Sequence, residues 1–173
     1  MIILGIDPGL ANTGFGAIRC GVAQPRLVKC GLMRTSPRDH VSRRLFQIYT
    51  DLNGLIDVLK PELMAVENVF SLVRYPKAGI TLGGVMGVLY LSAFQNGTPV
   101  VEVMPREVKN ALVAYGGASK VQVREVTKRV LAIDAIKSFH AADALAVALT
   151  VFYRNYRGRD DIIPGRHAKK GAR

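Results

Sequence analysis

Residues 2–9 read Ile-Ile-Leu-Gly-Ile-Asp-Pro-Gly, a short apolar run that ends in an acid and a turn. A run of this length bounded by Pro-Gly is a buried β-strand, with Asp7 at its carboxyl end. Two further segments, Thr13–Cys20 and Arg26–Arg34, alternate loosely between Gly and Pro punctuation, so the three read as an antiparallel meander. At residues 41–60 the period changes. Leu45, Ile48, Leu52, Leu55, Ile56 and Leu59 fall on one helical stripe, which Pro61 stops. Leu63–Glu67 is a second buried strand, followed by a loop over Asn68–Pro76 and a Gly-rich helix to about Gln95. Pro99–Met104 is another strand, and Pro105 suits the first turn of the next helix. Gly116-Gly117 breaks that helix, Ser119 caps another through Leu131, and the last runs from about Ser138 to Tyr153. Strands first and then alternation of helix with strand predict an α/β fold, a mixed sheet with an antiparallel edge flanked by helices.

Composition narrows the function classes. The 173 residues carry 24 Lys and Arg against 13 Asp and Glu, a net of +11, with 49% hydrophobic and 21% charged residues. That balance excludes wholesale disorder and fits one compact domain. Residues 154–173 hold seven Lys and Arg against two Asp, a net of +5, and read as a basic flexible tail to a domain over 1–153. The remaining +6 belongs to the body and favours an anionic partner. No apolar run approaches the length of a spanning helix, and the start lacks a basic n-region and a cleavage site, so the expected location is cytoplasmic. Cys20 and Cys30 are too few for a disulfide framework and read as reduced, half-buried thiols.

Asp7 and Glu67 each end an apolar strand, where ligands bind in open α/β sheets. Taken singly, either is equally well a turn residue or a solvated strand end. The last helix adds weight. From His140 to Leu149 it is apolar nearly all round, yet His140 and Asp143 share one face. A carboxylate in a buried helix needs a cation, and no Lys or Arg lies between Ser138 and Tyr153 to supply one locally. Three carboxylates and an imidazole from two strand ends and one helix suit hard divalent cations such as Mg2+ or Mn2+. An acidic metal site inside a basic body is the charge pattern of a nuclease.

Four blocks then become recognisable. Ile6-Asp7-Pro8-Gly9 with Thr13-Gly14 comes first, then Glu67-Asn68-Val69-Phe70. Val108-Lys109 with Gly116 through Val123 follows, and Ala141-Ala142-Asp143-Ala144-Leu145-Ala146 closes the set. Together, and in this order, they resemble the RuvC family of Holliday-junction resolvases over residues 1–153. The resemblance implies a ribonuclease H-like fold, a homodimer, and two ions per site. It also implies metal-dependent paired nicks in opposed strands of a four-way junction, leaving 5′-phosphate and 3′-hydroxyl ends. Partnership with the RuvA–RuvB branch-migration complex, in recombination and repair, comes with it. By position, Asp7, Glu67 and Asp143 match the family's acidic ligands. His140 stands where many members carry a fourth carboxylate, and is expected to bind metal or to transfer a proton. Phe70 matches an aromatic that stacks on an opened base. Lys109 and Lys120 match lysines near the DNA, and Arg74 and Lys77 are further backbone-contact candidates. The segments 75–79 and 82–87 depart from the more polar family pattern. Two rival readings are a non-catalytic junction binder and an actin-like phosphotransferase domain, whose duplicated fold this length does not accommodate.

Overall fold

A computed structural model describes residues 1–21, 24–68, 76–113 and 116–157. Its elements, in chain order, are β1 (Ile2–Asp7), β2 (Asn12–Arg19), β3 (Arg26–Arg34), α1 (Val41–Leu59) and β4 (Leu63–Glu67). Then come α2 (Pro76–Gln95), β5 (Val100–Val103), α3 (Pro105–Val113), α4 (Lys120–Leu131) and α5 (Phe139–Arg157). The sheet order is β3-β2-β1-β4-β5. β1, β2 and β3 pair antiparallel, and β4 and β5 join in parallel. The mixed sheet with an antiparallel edge is therefore as the sequence predicts.

Strand alternation divides the molecule into three layers. On β1, Ile3 packs with α3, α4 and α5, while Leu4 and Ile6 pack with α1 and α2. On β4, Leu63 and Ala65 take the α5 side, and Met64 and Val66 the other. A period of two then puts Asp7 and Glu67 on the α5 side as well. Leu145, Val147, Leu149 and Val151 of α5 are fully buried. At about 1.5–3 kcal/mol for each buried aliphatic side chain, they anchor the helix by on the order of 8 kcal/mol.

Glycine brings α5 close to the sheet. A Cβ at Gly5 would collide with the carbonyl of Ala144, and one at Gly14 with the carbonyl of His140. One at Gly16 would stand 2.6 Å from the Leu145 side chain. Gly5 and Gly16 are register partners, and Gly14 is the partner of Asp7. The backbone of α5 therefore rests on a bare strip of β1 and β2, next to the end of β1 that carries Asp7.

Two expectations need correction. The last helix does not stop near Tyr153 but runs to Arg157, so the first four residues of the expected flexible tail are helical. Counter to the expectation of no spanning-length apolar stretch, Ala78–Gln95 in α2 is long and apolar enough to cross a membrane by length and composition. Its glycines and hydroxyls interrupt the run, but no charged residue does. Cys20 and Cys30 are free and half-buried, as expected.

Candidate active site

Ile6 pairs with Val66 in parallel, so Asp7 and Glu67 leave the sheet side by side, about 4.8 Å apart in backbone spacing. The loop that follows Asp7 is braced from below. Thr13 Oγ1 donates to the Gly9 carbonyl (2.7 Å), and Thr35 Oγ1 donates to the Leu10 carbonyl (2.5 Å). Beyond Glu67, the Asn68 N–H donates to the Val103 carbonyl (2.8 Å), and its side-chain amide donates to Glu102 (2.5 Å).

α5 brings the other two groups. His140 is the second residue of the helix, and its Nδ1 lies 2.7 Å from Asp7 Oδ2. Asp143, one turn on, accepts a 2.8 Å ion-paired hydrogen bond from Lys120 Nζ. Lys120 is placed by its own helix. Ser119 and Gln122 form a reciprocal capping box at the start of α4, which fixes Lys120 as its first residue. Asp7, Glu67, His140 and Asp143 thus meet at one end of the sheet.

Their electrostatics follow from crowding. Asp7 is buried at 8% exposure. Burial raises its pKa against the hydrogen bond from His140, and the charge of Asp143 raises it further. Glu67 is pushed up to about 8, chiefly by burial and then by the charges of Asp7 and Asp143, with a hydrogen bond to Asp7 adding to the rise. Without a cation, the crowding thus favours the protonated form of Glu67. The Lys120 ammonium is held above its ordinary value, first by its hydrogen bond to Asp143. Among the described residues no three His, Cys, Asp or Glu side chains form a ready-made cation cage. Asp143 leans to Lys120 and Asp7 to His140.

The other expected residues are less involved. Lys109 is half-buried on α3 and forms no ion pair among the described residues. Phe70 and Arg74 lie outside the described residues, and so does the side chain of Lys77, in the first turn of α2. Sequence reasoning missed two supports. Arg124, one turn after Lys120 on α4, donates to the Ile136 carbonyl (2.7 Å) and lies over the Phe139 ring (4.8 Å), pinning the start of α5. Arg44 Nε donates to Thr35 Oγ1 (2.8 Å) and so steadies the loop after Asp7. The one signal available was spacing: Lys120 and Arg124 stand four apart on one helix face.

A mixed sheet in this strand order, with acids at the ends of its first and fourth strands and a helix laid across them, defines a ribonuclease H-like protein. Solved structures agree. The chain overlays on *Thermus thermophilus* RuvC, solved in complex with a Holliday junction substrate, with a TM-score of 0.84 and 32% identity, covering 91% of this chain and 96% of that one. The yeast mitochondrial Holliday junction resolvase shares the fold, with a TM-score of 0.64 at 12% identity. The family model for the crossover junction endodeoxyribonuclease RuvC matches residues 3–151. The RuvC of *Natranaerobius thermophilus* is 39% identical over 150 residues, 86% of this chain and 92% of its own. That of *Moorella thermoacetica* is 37% identical over 168 residues, 96% of this chain and all of its own. The chain belongs to the RuvC family of crossover junction endodeoxyribonucleases.

Proposed function

We propose that this chain is a structure-selective endonuclease that resolves four-way DNA junctions by paired nicks in two opposed strands. The observation that carries the proposal is the convergence of Asp7, Glu67, His140 and Asp143 at one end of the sheet, in a chain of this family. The residues suit a divalent cation. Three carboxylates share a half-buried pocket, where burial first and mutual repulsion second raise the pKa of Glu67. Oxygen donors with one imidazole are the set that hard cations take. Asp7, Glu67, Asp143 and His140 would hold Mg2+ or Mn2+, two ions per site, which when bound supply activation of water and stabilisation of the leaving 3′ oxygen. The protein's own groups then have distinct tasks. Asp7 is oriented by His140, whose Nε2 is left for a cation or a proton. Glu67, with its raised pKa, binds a cation in competition with a proton. Lys120 balances Asp143 and, exposed as it is, stands ready to meet a phosphate. Hydrolysis in this arrangement leaves 5′-phosphate and 3′-hydroxyl ends.

A homodimer fits a substrate with twofold symmetry. α2 supports it: Ile80, Gly83, Gly87, Leu91 and Phe94 form one exposed stripe, and only 28% of the Ala78–Gln95 window is buried. Nothing lies within 4 Å of a Cβ built at Gly83 or Gly87, which leaves room for a second backbone to approach. Work on chromosomal DNA implies a cytoplasmic location and partnership with RuvA–RuvB. The division into a nuclease domain over 1–153 and a basic tail is part of the same reading. The test is a synthetic four-way junction incubated with Mg2+ or Mn2+ beside linear duplex, with products mapped by strand. Symmetric, ligatable nicks in the junction alone are expected, and equal cutting of the duplex would refute the proposal.

A further inference from the structure

Positive charge also gathers away from α3 and α4. The turn between β3 and α1 is flanked by Arg34, Arg38 and Arg43, all exposed, with Asp39 as the one acid in the stretch. None of the three arginines forms an ion pair among the described residues. Arg44, half-buried, is instead engaged inward on Thr35. Thr35 in turn is tied to the loop after Asp7, its N–H donating to the Ala11 carbonyl (3.1 Å) and its hydroxyl to the Leu10 carbonyl. The turn is therefore fixed to the site, while Arg38 and Arg43 face solvent.

Register gives the separation. Asp7 pairs with Gly14, Gly14 with Leu32, and Arg34 stands two residues further along β3. Two strand spacings and two residues of rise put the Arg34 backbone on the order of 12 Å from that of Asp7. At about 3.4 Å of axial rise per nucleotide of one strand, that is three or four phosphates. Lys120 approaches the carboxylates from α4, whereas the arginines cluster where the edge strand β3 runs into α1.

We propose that Arg34, Arg38 and Arg43 form a second phosphate-gripping surface, which holds the backbone of a duplex arm as it leaves the site across β3. Guanidinium groups are weakly hydrated and match phosphate in a planar fork, so a row of unpaired arginines suits a nucleic-acid backbone. This inference rests on the junction-nuclease reading for the identity of the anion.

The test compares two charge-matched variants of the full chain. Arg38→Gln/Arg43→Gln removes two cations from the turn. Arg19→Gln/Arg26→Gln removes two exposed cations that pair across β2 and β3 at the opposite sheet end, roughly 26 Å away along the strand. Binding of a fluorescent four-way junction is followed over a salt series without divalent metal, and a thermal melt confirms that both variants fold. The turn variant is expected to flatten the slope of log Kd against log salt by about 1.8 and to weaken binding about tenfold near 0.1 M salt. The far-end variant should change the slope by less than about half as much. Arg38→Lys/Arg43→Lys should restore most of the slope. Equal losses in the two double variants, or no loss in the turn variant, would overturn the surface. A wild-type chain that shows these binding effects yet leaves the junction uncut with Mg2+ or Mn2+ would overturn the nuclease reading and leave the arginine surface standing. A wild-type chain that binds no junction would overturn both.

Discussion

The two faces of the sheet are covered by helices that use glycine in opposite ways. Under α5, Gly5, Gly14 and Gly16 are bare so that a helix backbone can lie against them, and each missing Cβ is occupied by a named atom of α5. On the other face, Gly54 of α1 and Gly79, Gly83 and Gly87 of α2 meet nothing within 4 Å. The large side chains differ in the same sense. The apolar residues of α5 from Ala144 to Val151 are buried, whereas Ile80, Leu91 and Phe94 of α2 and Phe46 of α1 are exposed. Tight packing holds His140 and Asp143 in place over the strand ends. Open packing leaves a surface for another molecule.

The sharpest way to break this contrast is on the α5 side. Gly5→Ala places a methyl group on the Ala144 carbonyl, where backbone rather than a flexible side chain must move. A loss of about 3 kcal/mol, the upper range for overpacking, is expected in denaturant unfolding, with cleavage lost as His140 and Asp143 shift. On the α2 side, Phe94→Glu should leave the fold intact and dissociate the proposed dimer. In an isologous interface the substitution acts twice, so removal of two buried aromatics at about 1.5–3 kcal/mol each weakens dimerisation by a hundredfold or more. Sedimentation at micromolar concentration reads it.

The third way uses charge, which only the α5 side buries. Glu67 binds its proton more tightly folded, at about 8, than its ordinary 4.5. Between those values the native state holds more protons than the unfolded one, so stability falls as pH rises. The melting temperature without divalent cation should drop from pH 5 to pH 8, and added Mg2+ should offset the drop at the upper end. A melting temperature that does not respond to pH over this range would contradict the assignment. The smallest effect belongs to Gly54→Ala. Gly54 is interior to α1, beside a cavity of about 390 Å³ lined by Phe15, Leu32, Met33 and Leu55 among others. Alanine there should stabilise by about 0.5–1 kcal/mol, because helix propensity improves and no atom has to move.

The same contrast explains what the sequence could show. Strand ends are legible, because an acid closing a short apolar run is visible in one dimension, and so Asp7 and Glu67 could be found together. The parity that turns both toward α5 was equally available from a period of two. Contacts between distant elements were not. Nothing near Asp143 in the chain supplies a cation, and Lys120 reaches it only because the α4 capping box sets the helix start beside α5. Gly5 and Gly16 read as ordinary weak points of strands until the register pairs them beneath a helix. α2 is less legible for the reverse reason: its Ala78–Gln95 stretch carries no charge to mark an outer face, yet only 28% of it is buried. The end of α5 was missed because Arg154 and Arg157 look like the start of a basic tail, although Arg154 pairs with Glu107 of α3.

The central claim is that the carboxylates at the strand ends cut DNA while cations elsewhere hold it. Asp7→Asn separates the two, because it removes one charge next to His140 and changes no volume. Binding of a four-way junction and its cleavage with Mg2+ or Mn2+ are measured on the same preparation. Junction affinity within about threefold of wild type, with cleavage down about a hundredfold or more, is the expected result, since even outer-shell partners of a metal cost about 10- to 100-fold and Asp7 is placed as a direct ligand. Cleavage at the wild-type rate would contradict the account.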